Sequence, residues 1–170
     1  MKDLLEKIIK SPRMPEYFNR LKAIVETEQE KRRSFREKIT ENDKAEFING
    51  EVIMHSPAKR KHLLISGYLH NILSNYITKF DLGVLLVEKA MVSLGRNDYE
   101  PDLCFFSKEK ASKFSQKTMI FPAPDLVIEI LSESSKKRDR GIKFEDYELN
   151  KIPEYWIIDP ETETIEQYIF

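Results

Sequence analysis

The chain has 170 residues, 41% of them hydrophobic and 34% charged, with a formal net charge of -1 and a pI near 6.4. That is enough apolar material for one domain plus an extension, and it excludes a globally basic, histone-like binder while leaving room for local basic patches. A single cysteine, Cys104, excludes an internal disulfide framework and a zinc cluster; it fits the cytoplasm, as does the absence of a signal peptide or of ~18 consecutive apolar residues.

Residues 1–38 read as helix. Leu4, Leu5, Ile8 and Ile9 make one apolar face, Ser11-Pro12 and Pro15 interrupt it, and Tyr17, Phe18, Leu21, Ile24 and Val25 resume the helical period. From Glu26 to Lys38 the composition is mostly charged, which predicts a solvated face or a partner-binding helix. "AEFINGEVIMHSP" reads as a hairpin turning at Asn49-Gly50. Ala58 to Lys79 reads as a long helix burying His62, Ile65, Leu69, Ile72 and Tyr76. "GVLLVEKAMVSL" and "EPDLCFF" are the next strands, then a polar excursion from Ser107 to Thr118 and the strand "PDLVIEIL". Ser134 to Leu149 reads as one helix, followed by the strands "EYWIID" and "IEQYIF" around a turn. This order predicts an α/β or α+β fold, a mixed sheet with helices packed against it.

Glu129 sits in the middle of an apolar strand. A carboxylate there loses its hydration and is rarely buried without a partner. It must face solvent, meet a cation, or do chemistry. Period-two alternation puts Asp125, Val127, Glu129 and Leu131 on one strand face and Asp102, Cys104 and Phe106 on one face of the preceding strand. If the two strands pair, Asp102 and Glu129 converge, and two such oxygen donors suit Mg²⁺. The ion would polarise a phosphate and activate water. Asp139, Lys143 and Tyr147 are spaced i, i+4, i+8 on one helical face, with Lys143 its one lysine. Asp125 follows a proline and reads as a turn or cap residue. Two basic clusters, Lys59-Arg60-Lys61 and Lys136, Lys137, Arg138 and Arg140, open helices and are candidates to hold phosphates. Cys104 and Trp156 read as core.

"EPDLCFF", "PDLVIEILS", "RDRGIKFEDY" and "IPEYWIIDP", in that order, resemble the Uma-two family of endonucleases, a branch of the PD-(D/E)XK nuclease superfamily. The resemblance spans residues 41–170 and leaves 1–40 as an N-terminal helical extension. It implies a restriction-endonuclease-like core and hydrolysis of DNA phosphodiester bonds with Mg²⁺, Mn²⁺ being able to substitute. It implies Asp102 and Glu129 as catalytic metal ligands. Leu131 stands where the superfamily carries its lysine, so the resemblance points to Lys143 for that role. It also points to Glu51, after the hairpin glycine, as an additional site carboxylate, and to His62 as a supporting histidine. Tyr147 and Asp125 are supporting candidates. The alternative is a catalytically silent, nuclease-derived module that grips nucleic acid or a protein. Either is compatible with a homodimer built on the N-terminal helix.

Overall fold

A computed structural model describes residues 2–170 of the chain. It opens with α1 (Lys2–Ile9) and α2 (Met14–Lys38), broken at Ser11-Pro12. Pro15 does not interrupt: it lies in the first turn of α2, where a missing N–H leaves no hydrogen bond unmade. The hairpin of β1 (Ala45–Ile48) and β2 (Glu51–Met54) turns at Asn49 and Gly50, with φ of 51° and 83°. Two left-handed residues are what a type I′ turn needs.

Next comes α3 (Arg60–Lys79). The strand expected over "GVLLVEKAMVSL" is two, β3 (Gly83–Val87) and β4 (Met91–Leu94). Between them Glu88 and Lys89 both adopt positive φ, 45° and 50°. β5 (Asn97–Tyr99), β6 (Leu103–Ser107), the short α4 (Lys108–Ala111), β7 (Ile120–Phe121) and β8 (Leu126–Ile130) follow. The chain ends through α5 (Lys136–Asp139), α6 (Ile142–Leu149), β9 (Glu154–Asp159) and β10 (Thr164–Ile169).

The expected mixed sheet is in fact two mixed sheets of five strands, ordered β2-β1-β5-β4-β7 and β10-β9-β8-β6-β3. Residues 88–90 carry the chain from the second sheet to the first, and residues 100–102 carry it back. The two crossings are joined by the Glu88 amide donating to the Asp102 carbonyl at 3.1 Å. Asp102 therefore stands at a corner where the sheets meet. The main core contains Val92, Tyr99, Cys104, Phe106, Val127, Tyr147, Tyr155 and Ile157. On the other face of the second sheet, Leu103, Ile128, Ile130 and Ile158 pack against Ile65, Leu69 and Leu73 of α3, and Trp156 lies alongside. Ile72 and Tyr76, expected in that interface, are 65% and 57% exposed. The buried stripe of α3 is rotated toward Leu73 and Ile77, because only that face meets the sheet. Among the described residues, no helix is long and apolar enough to cross a membrane.

The charged half of α2 is solvated on one face, where Glu30, Lys31, Arg33 and Glu37 are exposed, but its other face is docked. Arg32 and Arg36 both reach the fully buried Asp98, at 2.7 and 2.6 Å. Glu28 pairs with Arg96, and Phe35 stacks on Phe47 with ring centroids 5.7 Å apart. The expected boundary at 40/41 thus falls beyond residues that are already docked on the domain. The apolar half behaves oppositely: Leu4, Leu5, Ile9, Phe18, Leu21, Ile24 and Val25 are exposed. Asp98→Ala would leave two guanidiniums without their carboxylate. It is expected to cost about 3 kcal/mol, the low end for a broken buried pair, because Arg36 remains a third exposed. Urea denaturation reads it, and an unchanged midpoint would show that α2 docks through Phe35 and the Glu28–Arg96 pair without help from Asp98.

Candidate active site

β6 and β8 pair antiparallel with Leu103 opposite Ile128, so the register carries Asp102 to the level of Glu129. Both carboxylates are buried. Asp102 Oδ2 accepts the Ile130 amide at 2.8 Å, and Oδ1 lies 3.1 Å from His62 Nε2. Burial pushes the Asp102 carboxyl up, but the hydrogen bond and charge of His62, with the Ile130 amide, outweigh it and hold the group below its ordinary value. The hydrogen bond to Asp102 in turn raises His62 against its own burial. A histidine raised on folding stabilises fully below its unfolded pKa of ~6.5 and loses that contribution as pH climbs through the folded value. The stability gap between the native chain and His62→Gln is therefore expected to shrink from pH 6 toward pH 9. Urea midpoints across that range test it; a gap that widens with pH refutes it.

Lys143 is 2% exposed. Its ammonium lies 2.8 Å from Glu46 Oε1, 2.8 Å from Glu129 Oε1 and 3.3 Å from Asp139 Oδ1, and 5.7 Å from the ring centre of Tyr99. Tyr147 donates its hydroxyl to the same Glu129 oxygen at 2.8 Å. Burial alone would discharge the lysine, but Glu129, Glu46 and Asp139 hold its pKa well above the ordinary range. Glu129 is pushed well up by burial and by its acidic neighbours, against the pull of Lys143. Asp139 is raised chiefly by burial, and burial with Glu46 nearby lifts Glu100 to about 7. Burial is the largest cause of each raised carboxyl, and mutual repulsion adds to it because more carboxylates are buried together than one ammonium neutralises.

The hydrogen bonds show the same excess. Glu46 Oε2, Glu100 Oε2 and both Asp139 carboxylate oxygens are buried with no hydrogen-bond partner. His55 Nε2 also lacks one, 3.6 Å from Glu46 Oε2. Hard oxygen donors short of positive charge fit a divalent ion such as Mg²⁺. Among the described residues, no three His, Cys, Asp or Glu side chains converge as a ready ligand set. An ion here would complete its shell with water or substrate oxygens, as Mg²⁺ usually does.

Asp102, Glu129, Lys143, His62 and Tyr147 are thus brought together. Glu51 is not. It is exposed on β2 opposite Ile48, and the third carboxylate at the lysine is Glu46 on β1. Glu46 is fully buried, with its Oε1 also accepting the Glu100 amide at 3.0 Å. It carries the same signal as Glu129, a carboxylate within an apolar strand. Asp125 lies at the opposite end of β8, where it accepts the Ser107 amide at 2.7 Å and pairs with Lys110 at 2.8 Å; that is a cap.

The helix expected over 134–149 is broken at Arg140-Gly141. A Cβ on Gly141 would sit 2.8 Å from the Lys137 carbonyl, so a side chain is excluded there. Across the break Asp139 and Lys143 still make their contact. Of the basic clusters, Lys59 and Arg60 are exposed at the His62 end of α3. Lys136 is drawn to Asp159 at 3.3 Å and Arg140 is paired with Glu166. Lys137 is exposed, and Arg138 keeps a buried Nε without a partner.

A family model named Uma2 and described as "Putative restriction endonuclease" matches residues 31–169, beginning inside the docked half of α2. No curated protein matches the chain. Among solved structures, one from Anabaena variabilis ATCC 29413, titled a putative nuclease belonging to DUF820, superposes with a TM-score of 0.70 at 20% identity. The match covers 79% of this chain and 76% of that one. At that identity the likeness is one of fold.

Proposed function

This chain belongs to the Uma2 family, and on that footing we propose that it is a divalent-metal-dependent endonuclease that hydrolyses phosphodiester bonds of DNA. The observation that carries the reading is the convergence of Glu129, Glu46 and Asp139 around one buried ammonium, with Asp102 level with Glu129 on the neighbouring strand and buried carboxylate oxygens of Glu46 and Asp139 left without a hydrogen bond. Asp102 and Glu129 are the proposed ligands of Mg²⁺ or Mn²⁺. The bound ion would supply Lewis-acid stabilisation of the phosphate and an acidified water. His62 holds Asp102 in its ionised form and fixes its rotamer. Tyr147 and Lys143 aim Glu129, and Lys143 adds a fixed positive charge beside the reacting phosphate. Lys59, Arg60, Lys137 and Arg138 are the cations proposed to hold the flanking backbone; Lys136 and Arg140 would first have to leave their carboxylates.

Incubation with supercoiled DNA in Mg²⁺, Mn²⁺ or EDTA tests the proposal. Nicking is expected with either ion, none in EDTA, and none from folded Asp102→Ala. A second reading, a silent module that binds without cutting, draws support from Lys143 being fully engaged by three carboxylates. Failure to bind Mn²⁺ in calorimetry would favour it. The exposed apolar stripe of α1 and early α2 supports the proposal that either form is a homodimer, which light scattering reads.

A further inference from the structure

A cavity of about 450 Å³ lies where the two sheets part. Its walls include Ile39, Leu86, Met91, Ile120 and Phe121, and Val87 and Met119 stand exposed at its mouth. That volume and that apolar lining are those of a small-molecule site, and such sites add a few placed polar groups. Here the charged lining is mostly spoken for. Arg36 is held by Asp98, Asp43 by Thr40, Glu88 by Lys44, and Lys89 by the Glu41 carbonyl. Glu100 is different: it lines the cavity, is 5% exposed, and its Oε2 has no partner.

The cavity abuts the proposed catalytic cluster. Glu100 donates its amide to Glu46, and Glu88 donates its amide to the Asp102 carbonyl. Glu100 precedes Asp102 by two residues, roughly 7 Å of extended chain. We propose that this cavity receives one nucleobase turned out of the strand beside the scissile phosphate, its ring between the Ile39, Met91 and Phe121 side chains and an exocyclic amino group donating to the Glu100 carboxylate, whose buried Oε2 a small side-chain rotation would open to it. The class of ligand follows from the lining. In its ionised form the Glu100 carboxylate accepts and does not donate, so it takes an amino-bearing ring and repels a phosphate. The planar ring fills apolar space that enzymes acting on turned-out bases offer in the same way. The inference rests on the nuclease reading for its substrate, and its test is a binding measurement that stands apart from cleavage.

The probe is an oligonucleotide carrying 2-aminopurine, whose fluorescence rises when it leaves the stack and which bears an exocyclic amine. A matched oligonucleotide with an abasic site at that position is the comparator. Titrations run in EDTA and in Ca²⁺, with gels confirming intact strands. The full chain is expected to bind the 2-aminopurine strand roughly tenfold more tightly than the abasic one, with a saturating rise in fluorescence. Glu100→Met, which keeps the length but removes the acceptor, and Met119→Trp, which fills the mouth, should each erase that difference. Circular dichroism checks their folding, and Met119, being exposed, keeps the test valid if Glu100→Met fails to fold. Equal affinity for both strands, or a fluorescence rise that survives Met119→Trp, overturns the pocket. If metal-dependent nicking persists in that case, the nuclease reading stands alone; absence of all DNA binding overturns both.

Discussion

Lys143→Met is expected to lower folding stability by roughly 3–5 kcal/mol, the cost of stripping the partner from buried charge. That is a large share of the ~5–15 kcal/mol that holds a domain folded. The residue is 2% exposed and touches Glu46, Glu129 and Asp139, so methionine fills the volume and leaves three carboxylates facing one another. They can relieve this only by taking up protons. A carboxyl whose folded pKa is raised binds more protons folded than unfolded, so its contribution to stability falls as pH rises. Glu129 and Asp139 already stand above their ordinary values, and without the ammonium they rise further. The deficit in Lys143→Met should therefore be larger at pH 8 than at pH 5. Adding Glu46→Gln should recover part of it at pH 8. Urea denaturation of the two variants at both pH values decides the matter. A single-variant midpoint equal to that of the native chain would mean that the cluster is not held by its lysine.

Glu129→Gln should produce the opposite pattern. Glutamine keeps a carbonyl oxygen for Tyr147 and Lys143, and Lys143 retains Glu46 and Asp139. Removing one negative charge from a group with too many is expected to change stability by no more than about 1 kcal/mol. Nicking should fall at least about 100-fold, since losing a ligand exceeds the 10–100-fold cost of losing a residue behind one. Melting curves and plasmid nicking on the same preparation separate the effects. Unchanged nicking at unchanged stability would remove Glu129 from the chemistry.

The parts of this site that were readable in the sequence are those set by short-range geometry. Asp102 and Glu129 follow from period-two alternation on two strands whose pairing register then aligns them. Asp139, Lys143 and Tyr147 follow from helical spacing, and their convergence survives the break at Gly141 because the break falls between Asp139 and Lys143 without reversing the chain. Glu46 was hidden behind Glu51. The Asn-Gly turn draws attention to the residue after it, yet β1, not β2, is the strand buried at all four positions. Strand burial depends on which neighbour lies on the far side, here β5, and that pairing joins Phe47 to Asp98, beyond the reach of any local pattern. The division into two sheets was equally illegible, since it rests on the left-handed pair Glu88-Lys89, neither of which is glycine. The docking of α2 was missed because Arg32 and Arg36 read as solvent-facing until Asp98, far along the chain, is seen to take both.

The order in which these groups leave the ribosome follows from their positions. Residues 46 and 102 are synthesised well before residue 143, and residue 129 shortly before it, so the nascent chain carries acidic groups whose compensating ammonium has not yet emerged. Contacts this distant in sequence form late and slowly. The cluster cannot assemble until α6 has been made.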